Sequence, residues 1–170
     1  YVIFFSTRKV NWKGYRGMNE KFFDLKKEKQ DRMINASLKV FAMNGYAHAS
    51  TDDIVREAGI SKGLLFHYFV SKLGLYSFIY DYSIRYVILE LTTGVDKEET
   101  DYFRLVGQIR EAELQVMRNY PCMMLFLNNS RLENVSEVLL ETEDKRNILS
   151  EKYAQILSQA TGEELDERLS

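Results

Sequence analysis

The run Thr51–Lys72, TDDIVREAGISKGLLFHYFVSK, admits few folds. Helix starters and stoppers alternate in it at short intervals. Thr51 is placed to cap a helix in which Ile54, Val55 and Ala58 face inward. Asp52 and Asp53 sit in its first turn, where the helix dipole favours negative charge. Gly59 ends that helix, Ile60 is an apolar plug in the turn, and Ser61 caps a second helix over Lys62–Phe69. Two short helices joined by a tight glycine-containing turn describe a helix-turn-helix. In such a unit the second helix can enter a DNA major groove while the first braces it against the backbone.

The flanks extend the same reading. Met33, Ile34, Ala36, Leu38, Val40 and Phe41 recur at helical steps, which predicts a helix over Glu28–Asn44 that stops at Gly45. Ser71 is placed to cap a long helix carrying Leu75, Phe78, Ile79, Tyr82 and Tyr86. Leu91–Glu99 reads as a linker. Further helices are expected at Thr100–Asn119, Pro121–Asn129 and Glu133–Ala160, with Pro121 as a first helical residue that needs no N–H donor. With one proline and nine glycines among 170 residues, there is little room for many short strands. The chain is expected to be all-α: a three-helix, homeodomain-like helix-turn-helix domain at 18–70 and a second helical domain at 71–170.

On the second short helix, Leu65 and Phe69 lie four apart and take the core side. Gly63 and His67 lie opposite, flanked by Leu64 and Tyr68 on one side and Phe66 on the other. A glycine here costs about 1 kcal/mol against alanine, and close approach to another backbone is a reason to accept that cost. Lys62 and Lys72 bracket the helix with charge suited to phosphates. The N–H groups after Thr51 and Ser61 form ready anion sites.

Charge supports this reading by its distribution and not by its sum. The net charge is −2. Through Glu90, 14 lysines and arginines stand against 9 acids; after it, 9 stand against 16. A basic front half fits an N-terminal nucleic-acid-binding domain. The one cysteine, Cys122, excludes an internal disulfide and fits a reducing cytoplasm. Two histidines and that cysteine are too few and too scattered for a metal site. There is no apolar run of membrane-spanning length, and no nucleophile–base pairing, phosphate loop or metal-ligand spacing. Neither an enzyme nor a cofactor is expected.

Ser61-Lys62-Gly63-Leu64-Leu65-Phe66-His67-Tyr68-Phe69, with Lys72 shortly after, closely resembles the DNA-binding signature of the TetR family of regulators. Asn44-Gly45-Tyr46, Ile54 and Ala58-Gly59-Ile60 also look like that family, and the likeness covers roughly Phe22 to Tyr82. The resemblance implies a ligand-responsive transcriptional regulator, by family default a repressor, that binds a palindromic operator as a homodimer. It implies that Thr51 holds a phosphate, that Ser61, Lys62 and Gly63 meet the backbone or a base edge, and that Leu64 faces bases. Without polar atoms, Leu64 can touch only something like a thymine methyl. His67 and Tyr68 are implied to reach phosphates or bases, and Lys72 a phosphate. Phe66 stands where a tyrosine is usual, so a hydroxyl contact is lost while the ring still packs.

Plainer readings stand beside these. Leu64 and Phe66 can be core residues, His67 a solvated surface residue, and Lys62 and Lys72 ordinary surface lysines. Tyr68 can bury its ring and keep only its hydroxyl wet. In the second domain, Phe103, Met117, Tyr120, Met123, Met124 and Phe126 are candidates for a pocket taking a small apolar or amphiphilic effector. Methionines and aromatics at helical spacing also make ordinary core. The rival from another class is a helical protein–protein interaction module without DNA binding. Residues 1–17, which lack a clear period or caps, are expected to be a non-native or disordered leader before a start at Met18. The two closing helices on which the family usually dimerises have no counterpart after about Ala160, so the chain is expected to be C-terminally incomplete.

Overall fold

The structure, a computed structural model, describes residues 20–161. The expected leader, the Met18 start and the acidic stretch from Glu163 to Glu167 lie outside them. Among the described residues every regular element is helical: α1 (Lys27–His48), α2 (Thr51–Ala58), α3 (Lys62–Phe69), α4 (Lys72–Gly94), α5 (Tyr102–Asn119), α6 (Met123–Ser130), α7 (Ser136–Thr142) and α8 (Ile148–Leu157), with short 3-10 turns at Glu20–Phe22 and Glu143–Lys145.

Helix boundaries in the first domain follow from local chemistry. Gly45 (φ 66°, ψ 175°) breaks the regular course of α1, as its position predicts. Gly59 takes the left-handed conformation (φ 64°, ψ 42°), and its N–H bonds carbonyls of Arg56 and Val55, closing α2. Ser61 Oγ accepts from Leu64 N–H (3.2 Å) and Ser71 Oγ from Gly74 N–H (3.0 Å), which starts α3 and α4 where the sequence places them. The start of α2 differs by one residue. The cap is Ser50, whose Oγ accepts from Asp52 N–H at 3.1 Å, and Thr51 is already helical. Adjacent Ser and Thr can each cap; the register that buries both Ile54 and Ala58 selects Ser50.

Phe22 anchors this domain. It is fully buried, with ring centroids 5.2 Å from both Phe69 and Phe78 and 5.7 Å from Tyr68. The 3-10 turn before α1 therefore packs on the end of α3 and the start of α4. The link between those helices is tight. Val70 has φ 62° and ψ −44°, and Ser71 N–H bonds Phe69 O across it at 2.6 Å, a γ-turn of the positive-φ hand. That conformation strains a β-branched residue. Val70 is 80% exposed, so its side chain contributes little burial. Val70→Gly is expected to stabilise the fold by about 1 kcal/mol, because the strain relieved exceeds the added chain entropy. The check is a higher denaturant midpoint at unchanged slope.

α4 is the central element. Every residue from Leu75 to Ile84 is buried, as expected of a helix that is packed on all sides. α1, α5, α6, α7 and α8 surround it. Three expectations for the second domain are corrected. The segment read as a linker is helical through Gly94, where a Cβ would lie 3.4 Å from Ala112 Cβ, so α4 and α5 approach closely. Pro121 is not a first helical residue. Tyr120 before it leaves the helical region (φ −135°, ψ 81°), as a following proline favours, and Met123 N–H closes a turn on Tyr120 O at 3.0 Å. The expected single helix over 133–160 is broken into α7, a 3-10 turn and α8. Its start moves because Glu133 Oε1 accepts from Asn134 and Val135 N–H (3.1 and 3.2 Å). It breaks near 143–147 because no residue from Glu143 to Asn147 is buried to hold a continuous helix.

Candidate nucleic-acid interface

The outward face of α3 is open. Ser61, Lys62, Gly63 and His67 are exposed, and a Cβ built on Gly63 would meet nothing within 4 Å. Among the described residues no later helix covers Gly63 or His67. Leu64 and Phe66 are half-buried on the flanks, where each can present an edge outward while packing inward. Leu65 and Phe69 are core, as their spacing predicts. Tyr68 is 9% exposed, with its ring against Phe22 and 5.0 Å from His67. Burial of the ring leaves it far less surface than its neighbour His67. Thr51 is half-buried at the start of α2.

Ser50 was missed as a residue of this surface, and its only sequence signal was the spacing to Ile54. Asp52 and Arg56 were missed as well. Lys62 Nζ lies 2.8 Å from Asp52 Oδ1, and Arg56 pairs with Asp53 on the same helix. Lys39 pairs with Glu57 at 2.7 Å.

Lys72 is engaged elsewhere than its place in the motif implies. Its ammonium donates to Tyr46 O (2.8 Å) and Ala49 O (3.1 Å) and lies 4.4 Å from the Tyr46 ring centre. It thus caps carbonyls left over where α1 ends. Lys72→Met is expected to cost about 2 kcal/mol, the scale of charge-assisted bonds to backbone. A thermal melt reads this directly; a pure phosphate contact would leave the melt unchanged.

The second domain reaches back to the same place. Glu133 Oε2 accepts from Tyr46 N–H at 3.0 Å, and Asn129 Nδ2 donates to Ala42 O at 2.9 Å. A second link joins α1 to the end of α5. Tyr120 OH donates to Asp31 Oδ1 (2.8 Å) and accepts from Lys27 Nζ (3.0 Å), and Tyr82 OH lies 2.6 Å away. With its proton committed to Asp31, Tyr120 accepts from Tyr82, so the hydroxyls run in one direction. Burial, then the neighbouring tyrosine and Asp31, raises the Tyr120 pKa far above the usual phenol value. Burial likewise pushes Tyr86, which stacks on Tyr82, up to about 12. Both stay neutral near pH 7, Tyr120 donating to Asp31 and Tyr86 accepting from Asn119 Nδ2 at 2.9 Å.

The six candidate pocket residues do not gather around a cavity. Tyr120, Met123 and Phe126 are core, and the Phe126 ring packs between Phe41 of α1 and Tyr76 and Tyr80 of α4. Met124 is half-buried, while Phe103 and Met117 lie exposed on α5. An open groove of about 390 Å³ is lined instead by Ile88, Ile148, Glu151, Lys152 and Gln155. Among the described residues no helix is long and apolar enough to cross a membrane, and no cluster of His, Cys, Asp or Glu could hold a metal ion.

This geometry coincides with a family match. Residues 33–77 match the model for bacterial regulatory proteins of the tetR family. Over these residues the chain is similar to the TetR-family helix-turn-helix domain. Among curated relatives, the uncharacterized HTH-type transcriptional regulator YuxN of Bacillus subtilis is 38% identical over 93 residues, covering 52% of this chain and 32% of the relative. The uncharacterized HTH-type transcriptional regulator TtgW of Pseudomonas putida is 40% identical over 47 residues, covering 28% of this chain and 35% of the relative. The chain thus spans about a third of the length of these two relatives. A TetR family transcriptional regulator from Chloroflexus aurantiacus superposes with TM-score 0.56 at 24% identity, covering 75% of this chain and 60% of that one. A TetR-like transcriptional regulator from Rhodococcus sp. RHA1 gives 0.57 at 23%, covering 80% and 73%. These likenesses extend the all-helical TetR-like fold beyond the helix-turn-helix into the helical C-terminal region. The relatives and solved structures named here are described as transcriptional regulators.

Proposed function

We propose that this protein is a ligand-responsive transcriptional regulator that acts in the cytoplasm and holds a palindromic operator as a homodimer. The observation that carries the reading is the unobstructed face of α3 around Gly63 and His67 within a TetR-type domain. α3 enters the major groove at its N-terminal end. Gly63 lets the helix backbone come close, while Ser61 and Lys62 meet a phosphate or base edge. Leu64 lies against a thymine methyl. His67 contacts a phosphate or base, the Phe66 ring packs on sugar or a methyl, and Tyr68, its ring buried, reaches a phosphate or base with its hydroxyl alone. Thr51 and the free N–H groups of the first turn of α2 approach a phosphate of the neighbouring backbone.

The domain division at 18–70 and 71–170 is part of this proposal. A small apolar or amphiphilic effector binds among the helices of the second domain and favours one arrangement of them. It shifts operator affinity only by its differential affinity for the two arrangements. Repression is released when the recognition helices of the dimer no longer match half-sites about 34–36 Å apart.

Selection of bound duplexes from a random DNA pool tests this. The expected result is an inverted repeat with half-sites one helical turn apart, and affinity that falls steeply with salt. No enrichment even at low salt would remove the DNA-binding reading and leave a protein–protein interaction module.

A further inference from the structure

The cations of α2 and α3 are Arg56 and Lys62, and each faces an acid from the first turn of α2. The two pairs differ in what they join. Asp53 and Arg56 share one helix. Asp52 and Lys62 bridge α2 to the first residue of the recognition helix, across a gap of 2.8 Å. Both members are exposed, with side-chain accessibilities of 69% and 50%. Exposed pairs contribute little to stability. The Asp52 carboxylate meets this ammonium with an anionic oxygen at hydrogen-bond distance, the same kind of contact that a phosphate oxygen makes with a lysine.

We propose that Asp52 is an internal phosphate surrogate that sets the DNA affinity of this protein by occupying Lys62 until a phosphate displaces it. The inference rests on the DNA-binding reading above. Its physics is an exchange. When Lys62 moves from Asp52 to the duplex, one ion pair replaces another and little salt is released. Asp52 is then left near the polyanion without its partner. Neutralising Asp52 removes both penalties. The lysine meets DNA as a free cation, and each such contact adds about 0.9 to the salt slope.

The test measures affinity for the selected duplex from low to high salt, with wild type, Asp52→Asn, Asp53→Asn and the double variant Asp52→Asn/Lys62→Ala. Thermal melts confirm that each is folded. Asp52→Asn is expected to bind on the order of tenfold tighter at low salt, with a slope steeper by up to about one, and to converge on wild type at high salt. Asp53→Asn removes the same charge from a pair that does not touch α3, and is expected to gain much less. The double variant is expected to lose the gain. An unchanged or weaker Asp52→Asn overturns the inference while wild-type binding leaves the DNA reading intact. An equal gain from Asp53→Asn, or a gain that survives loss of Lys62, overturns it too, because the effect is then bulk charge. If wild type binds no duplex at any salt, the DNA reading itself fails and the inference with it.

Discussion

Gly63→Leu is expected to leave the fold intact or stabilise it by about 0.5 kcal/mol, while weakening duplex binding on the order of a hundredfold. The space directly above Gly63 is open, so a Cβ there meets no protein atom within 4 Å. Removing a glycine also lowers the entropy of the unfolded chain. The whole penalty therefore falls on whatever approaches from outside. Loss of close backbone contact along the first turn of α3 is worth about 3 kcal/mol if it accounts for a hundredfold change. A thermal melt and a binding isotherm on the same sample separate the two effects. Unchanged affinity in Gly63→Leu would mean that no backbone approaches α3 at this point.

Gly74→Ala is the opposite case. A Cβ at Gly74 would stand 2.3 Å from Phe69 O, a backbone atom of the preceding helix that cannot swing aside. The same carbonyl accepts from Ser71 N–H across the Val70 turn. The corner must open, and a cost of about 3 kcal/mol is expected from forced overpacking. For a chain of this size that is a fall of roughly 10 °C in melting temperature. A melt within a degree or so of the parent would show that the corner yields freely. Because α3 ends at this corner, the surviving folded fraction is also expected to bind DNA less tightly, through tilt of the recognition helix.

These two glycines show which parts of the molecule can be read from the sequence. Boundaries governed by one residue and its immediate neighbours were legible: Gly45, Gly59, Ser61 and Ser71 each act where their chemistry predicts. The core and outward faces of α3 were legible because helical spacing alone sets them. Ser50 was hidden by its neighbour Thr51, which caps as well in isolation; burial of Ile54 and Ala58 broke the tie. Lys72 was read as a phosphate ligand because nothing local reveals that the carbonyls of Tyr46 and Ala49 come within its reach. The break between α7 and α8 was invisible because helical periodicity does not report whether a surface exists to bury against. Tyr120, Met123 and Phe126 were sensed as apolar, but only the packing of α6 on α1 and α4 decides that they fill space.

The end of α1 has consequences for how this molecule moves. Lys72 holds the carbonyls of Tyr46 and Ala49 from one side, while Glu133 and Asn129 hold the N–H of Tyr46 and the carbonyl of Ala42 from the other. To swing the end of α1 away from α4 and α6, all four bonds must part together. The end of α1 is thus bolted to α4 and α6 at once and travels only where both of them go.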